Sequence, residues 1–138
     1  MAAGSGDCIF CAIAAGDAKA EIVDSDERTV SFMDINPATR GHALVIPRAH
    51  SENLFDIDRA DLEATVVAAR RLAERMREVL KPDGFNVLNS TGRAAWQTVF
   101  HFHLHVVPRY VDDPLQLPWR PAPADAGELA EVAAALRQ

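Results

Sequence analysis

An α+β fold is predicted: an antiparallel sheet of about five short strands, with one long helix and one or two short helices on one face. Three observations predict it. Five apolar segments (20–24, 28–34, 42–47, 84–90 and 98–107) read as strands bounded by Gly, Pro, Asn or Asp. Residues 59–80 repeat apolar side chains at three- and four-residue spacing, the period of an amphipathic helix. The first three strands are joined by connections too short for parallel crossovers, so they pair antiparallel.

The elements follow in order. Residues 8–15 suit a short helix stopped by Gly16. Strands 20–24 and 28–34 flank a polar turn at Asp24-Ser25-Asp26, and Asn36-Pro37 breaks the chain before strand 42–47, which ends at Pro47. In the long helix, Leu62, Val66, Ala69, Leu72, Ala73, Met76, Val79 and Leu80 form the apolar stripe, Asp58 is its N-cap, and Pro82 and Gly84 terminate it. Strands 84–90 and 98–107 complete the sheet. Residues 112–124 hold four of the eight prolines and read as an extended tail. A last helix over 125–137 places Leu129, Val132 and Leu136 on one face.

Size and composition bound the function. The 138 residues make one domain, with a core over about 7–110 and a Pro-rich tail and helix over 111–138. Hydrophobic residues at 49% and charged residues at 25% are those of a globular chain. The 14 basic and 20 acidic residues give a net charge of −6, against nucleic-acid binding, which needs a basic surface to displace counterions. No apolar run reaches the ~20 residues of a membrane span. The N-terminus lacks a secretory signal, so a cytoplasmic protein with reduced Cys8 and Cys11 is expected.

His101, His103 and His105 alternate with Phe100, Phe102, Leu104 and Val106. In a strand this puts three imidazoles on one face and the apolar residues on the other. Neighbouring imidazoles then lie ~6–7 Å apart, too far for one metal ion on an unbroken strand. A single such histidine reads as a hydrogen-bonded core residue. Three on one face, among five in the chain, suit nucleophilic or acid–base chemistry near neutral pH.

The run Gln97-Thr98-Val99-Phe100-His101-Phe102-His103-Leu104-His105-Val106-Val107 resembles the histidine-triad motif of the HIT superfamily of nucleotide hydrolases and transferases. Cys8-Ile9-Phe10-Cys11-Ala12-Ile13, Phe32-Met33-Asp34-Ile35-Asn36-Pro37, the block Gly41 to His50, and Asn86-Val87-Leu88-Asn89 are similar to further HIT blocks in the same order, so the resemblance covers most of the chain. It implies that His103 attacks the α-phosphorus of a nucleotide, forming a nucleotidyl-histidine that water or another acceptor releases. His105 would then donate to a phosphate oxygen, and Gln97 and Thr98 would contact phosphate or the leaving group. By the same resemblance Asn89 would bind phosphate and Asp34 the ribose hydroxyls. Ile9, Phe10, Phe32 and Ile35 would form the slot for a purine base, and His42 would support the site. Read without the resemblance, those four apolar residues are core, and His42 is a satisfied core histidine.

Cys8 and Cys11 alone fit a redox pair, half a metal site, or chance, though the βαβ context of a thioredoxin-like pair is missing. The resemblance assigns them, with His50 and His101, to a structural zinc site of the kind found in several bacterial HIT proteins. Substrate signals are mixed. Gln97-Thr98-Val99 and Pro108-Arg109 are similar to dinucleoside-polyphosphate hydrolases, and the opening Cys-x-Phe-Cys to the Hint-like branch, which favours phosphoramidates. The resemblance also implies a homodimer. The local argument for it is a small sheet with an open edge, together with Ala68, Ala69 and Ala73 as sites of close helix approach. The competing function is a nucleotide-binding regulatory or scaffold protein with negligible turnover.

Overall fold

The structure, a computed structural model, describes residues 7–138. Five strands form one antiparallel sheet: β1 (Ile22–Ser25), β2 (Thr29–Met33), β3 (Ala43–Pro47), β4 (Gly84–Leu88) and β5 (Leu104–Arg109). Their spatial order is β1-β2-β3-β5-β4. Three helices accompany the sheet: α1 (Ile9–Ala15), α2 (Arg59–Val79) and α3 (Ala126–Leu136). The α+β architecture expected from the sequence is therefore the one observed.

Local chemistry sets the boundaries. Gly16 ends α1 in the left-handed conformation, φ 82°, where its N–H closes on the Ile13 carbonyl. Asp58 caps α2 by accepting from the Ala60 N–H. The β1–β2 turn is built by Asp26, whose Oδ1 accepts from the Arg28 and Thr29 amides. Arg48 ties the same turn to α1, its Nε donating to the Asp26 carbonyl and its Nη1 to that of Ala14.

Alternation along the strands divides the interior into two cores. Ala43, Val45, Leu104 and Val106 join Ala68, Ala69, Leu72 and Met76 of α2, with Phe102 beside them. Val30, Phe32, Leu44 and Ile46 face the other way, onto Phe10 and Ile13 of α1. Full burial of each such large side chain contributes ~1.5–3 kcal/mol.

Four expectations need correction. The helices do not share a face, because the even-numbered β3 residues are apolar as well and α1 covers them. The buried stripe of α2 includes Thr65 and Ala68, while Val66 and Val79 are exposed; the apolar pattern is wider than the contact, and the Thr65 hydroxyl is satisfied by the Asp61 carbonyl. Ala68 and Ala69 lie in this chain's own core, so they offer no surface for a helix of a second copy. The fifth strand begins at Leu104, not at residue 98. Upstream of it, the Phe102 N–H donates to the Ser51 carbonyl and His101 is held by Pro47, so the segment bonds to the end of β3 and the chain just beyond it without making a ladder.

After β5 the chain runs exposed to α3, which Asp125 caps. No residue of α3 is buried, and Leu129, Val132 and Leu136 are all exposed. No helix among the described residues is long and apolar enough to cross a membrane.

Candidate functional site

The α1 face of the sheet gathers the histidines. Pairing places Leu44 opposite His105 on one side and Leu88 opposite it on the other. His42, two residues before Leu44, lies on that same face, and its ring centroid is 5.1 Å from that of His105. His103 and His105 are 5.0 Å apart centroid to centroid, closer than an unbroken strand would put them, because the strand starts between them. Phe10 wedges its ring edge-on against both His103 (5.1 Å) and Phe32 (5.3 Å).

Burial disfavours the charged form of these imidazoles. It pushes His105 down to about 4, with His103 and His42 adding to the effect and Asp34 opposing it. His103 and His42 are lowered by the same cause, again against Asp34. A neutral imidazole has one donor and one acceptor nitrogen, so the hydrogen bonds decide which is which. The Ala38 N–H donates to His42 Nδ1 at 2.9 Å. His42 Nε2 therefore carries the proton and donates to His105 Nδ1 at 2.9 Å. His105 in turn keeps its proton on Nε2. His103 is oriented separately: its Nδ1–H donates to the His101 carbonyl at 2.7 Å, leaving Nε2 with a free lone pair. The result is a base or nucleophile beside a neutral donor, an arrangement suited to transfer at a phosphorus centre.

A second cluster lies behind Phe10. Cys8 caps α1 and Cys11 follows one turn later, with the Cys11 N–H donating to the Cys8 sulfur. Cys8 Sγ is 3.3 Å and Cys11 Sγ 3.4 Å from His101 Nδ1, and Cys11 Sγ is 3.3 Å from His50 Nδ1. One donor atom from each of the four residues lies within 4.8 Å of the others. These separations are near the edges of a tetrahedron with metal–ligand bonds of ~2.0–2.3 Å. His101 Nε2–H donates to the Pro47 carbonyl at 2.8 Å, which turns the unprotonated Nδ1 toward the sulfurs, as second-shell bonds do at metal sites. Burial, reinforced by Cys8, pushes the Cys11 thiol up to about 11, and burial lowers His101 to about 4. The four residues can hold a metal ion.

The remaining sequence-predicted residues fall into three groups. Asp34 stands at the site, its Oδ2 3.5 Å from His42 Nε2 and its Oδ1 accepting from the Asn36 N–H. Phe10 and Phe32 are buried core residues, whereas Ile9 and Ile35 are 51% and 88% exposed, so the plain core reading fails for those two. Thr98 is exposed. Asn89 and Gln97 serve the backbone. Asn89 Nδ2 donates to the His103 carbonyl and its Oδ1 accepts from Thr91. Gln97, 3% exposed, accepts from the Gly92 N–H and donates to the Glu52 and Val99 carbonyls, so its amide is consumed in bracing the loop and is not free for phosphate.

Sequence reasoning missed the groups that hold these side chains. Thr39 donates to the Pro108 carbonyl at 2.6 Å and its own carbonyl receives the His42 N–H, fixing the turn that carries His42. Nothing local marks Thr39, although Asn36-Pro37 marks the turn. Arg109 grips Asp113 through Nε and Nη2 at 2.7 and 2.9 Å and holds its carboxyl well below the usual range, anchoring the start of the tail.

A triad of this geometry, on an antiparallel sheet with a long helix behind it, defines the class. The HIT domain family model matches residues 15–112, and the chain belongs to that family. It is 42% identical over 103 residues to Protein hit of Bacillus subtilis, covering 75% of this chain and 71% of that one. Among solved structures it is similar to a HIT family member from Bacillus subtilis, with TM-score 0.87, 34% identity and 95% of each chain covered. It is also similar to a Zn-bound histidine triad family protein from Mycobacterium smegmatis, with TM-score 0.78, 42% identity and 97% of each chain covered.

Proposed function

We propose that the protein is a nucleotide hydrolase or transferase acting at the α-phosphorus of purine nucleoside 5′-phosphate derivatives: phosphoramidates, dinucleoside polyphosphates or adenylates. The observation that carries this reading is the opposed hydrogen bonding of two adjacent histidines, from which their tautomers follow. His103 Nε2 offers a lone pair and His105 Nε2 a proton, each set by a bond on the ring's far side. In the proposed reaction His103 Nε2 attacks phosphorus, a P–N bond forms, and the bond to the leaving group breaks with its electron pair. His105 donates to a non-bridging phosphoryl oxygen as charge gathers there. Water then attacks the nucleotidyl-His103, releasing the nucleoside monophosphate and restoring the imidazole. Asp34 faces the ribose, and the base lies along Ile9, Phe10, Phe32 and the exposed Ile35. The test is intact-mass detection of a nucleotidyl adduct after rapid quenching with each substrate. His103→Ala should lose the adduct and at least ~10³-fold in turnover while still binding nucleoside monophosphate. Near-full activity of that variant would end the proposal.

The donor set of Cys8, Cys11, His50 and His101 fits Zn²⁺ in a closed structural site, supported by the Zn-bound relative. When bound, zinc would favour the thiolate form of both cysteines and pin α1, and through it Phe10, against the triad segment.

The same reading makes the protein a homodimer. β4 is hydrogen-bonded along one edge only among the described residues, and the tail exposes Leu117, Trp119, Leu129 and Leu136. Light scattering at micromolar concentration should give about twice the chain mass of 15.0 kDa. A mass of one chain would refute the pairing.

A further inference from the structure

A groove of about 700 Å³ opens on the α2 face of the sheet, the face opposite the triad, between α2 and the β1–β2 edge. Its lining includes the apolar side chains Met33, Leu72, Met76, Leu80 and the exposed Val79. Its rim is basic, with Arg40, Arg71 and Arg75. Arg71 is already neutralised, its Nε donating to Asp24 at 2.8 Å and its Nη2 to Asp26 at 3.0 Å. Arg40 and Arg75 have no carboxylate partner within 4.0 Å among the described residues. Asp24 is the acidic residue of the lining, and Arg71 already balances it. The groove thus presents two arginines without a carboxylate partner beside its apolar lining, and with Asp24 and Asp26 both on Arg71 the local balance is one positive charge, in a chain whose net charge is −6.

We infer that this groove binds an anionic amphiphile: a carboxylate with an unbranched apolar chain, its head between Arg40 and Arg75 and its chain along Met33, Met76 and Val79. The size is that of small-molecule sites, ~300–1,000 Å³, with an apolar lining and few polar groups. The basic rim selects against a neutral chain of the same length. Within the lining Leu80 lies against Gly41, where an added Cβ would stand 2.4 Å from Leu80 Cδ1. The site is separate from the proposed nucleotide site, and neither inference depends on the other.

The chain contains its own probe. Two of its three methionines, Met33 and Met76, line the groove, and the third is Met1. Protein labelled with ¹³C at the methionine methyls is titrated with decanoate below its micelle concentration, and in parallel with decanol and with adenosine monophosphate. The expected result is a saturable shift of the Met33 and Met76 signals with decanoate. The same shift should need at least tenfold more decanol, and adenosine monophosphate should leave both methyls in place. The double variant Arg40→Glu/Arg75→Glu should weaken decanoate at least tenfold and leave decanol unchanged. Val79→Trp, filling the groove at an exposed position, should weaken both. Equal affinity for decanoate and decanol would overturn the anionic selection. Absence of saturable shifts at Met33 and Met76, or titration unaffected by either variant, would overturn the site itself.

Discussion

Gly41→Ala tests how tightly the turn carrying His42 is built. Two costs are readable in the structure. Gly41 holds φ at +95°, a region where a residue with a Cβ loses ~1–2 kcal/mol. An ideal Cβ at this position would stand 2.4 Å from Leu80 Cδ1 and 3.2 Å from Pro108 Cγ, and the free end of the half-buried Leu80 side chain must move, at a further ~1 kcal/mol. The sum is ~2–3 kcal/mol, or a fall in melting temperature of roughly 4 °C for each kcal/mol in a domain of this size. The assay is urea denaturation of four proteins: wild type, Gly41→Ala, Leu80→Ala and the double variant. Leu80→Ala removes the nearer obstacle and leaves φ as it was. The double variant should therefore be more stable than the summed single losses imply, by ~1 kcal/mol. A Gly41→Ala loss below ~0.5 kcal/mol, or strict additivity in the cycle, would refute the reasoning.

Three further outcomes are expected. Cys11→Ala should reduce zinc, measured by elemental analysis of protein purified without added metal, from about one per chain to a small fraction, and should lower the melting temperature. In the pH profile of kcat/KM, depressed histidine values mean that the neutral, competent forms persist as pH falls; the acid limb should lie below 6.5, toward the value of about 4 held by His105, and a limb at or above 6.5 would contradict the burial argument. Gln97→Ala strands the Gly92 N–H and two carbonyls, so it should cost ~2–4 kcal/mol in denaturation. A stable Gln97→Ala protein with kcat reduced as far as in His105→Ala would instead return Gln97 to the chemistry.

Much of the fold was legible because it rests on local chemistry. Asp58, Gly16, Asn36-Pro37 and the α2 period each act within a few residues of themselves, and each element they bound is present within a residue or two. The strand over 98–107 was overextended for a physical reason: alternation continues through His101 and Phe102, but the chain there bonds to Pro47 and Ser51, partners some fifty residues away. Gln97 illustrates the same limit. Its residue type suits phosphate contact and backbone bracing equally, and only the position of the Glu52 carbonyl separates them. The candidate site residues are named by the motif, whereas the tautomers that give His103 and His105 different abilities are set by the Ala38 N–H and the His101 carbonyl, which carry no side-chain signature.

The pairing of β5 with both neighbours has a consequence for fidelity of assembly. His105 lies opposite Leu44 and Leu88, while Leu104 and Val106, one step to either side, fill the core under α2. A slip of one residue along β3 or β4 would drive an imidazole into the space beneath Ala68 and Ala69 and turn two aliphatic side chains onto the histidine face. The chain cannot mispair here and still bury its interior. The apolar letters of the triad thus work as a checksum on the reactive ones: a molecule that has folded has already verified that its histidines face the right way. Replacing His103 or His105 leaves that check intact, so variants at these positions can be recovered as folded protein. Replacing Leu104 or Val106 by a polar residue erases the check and the site together.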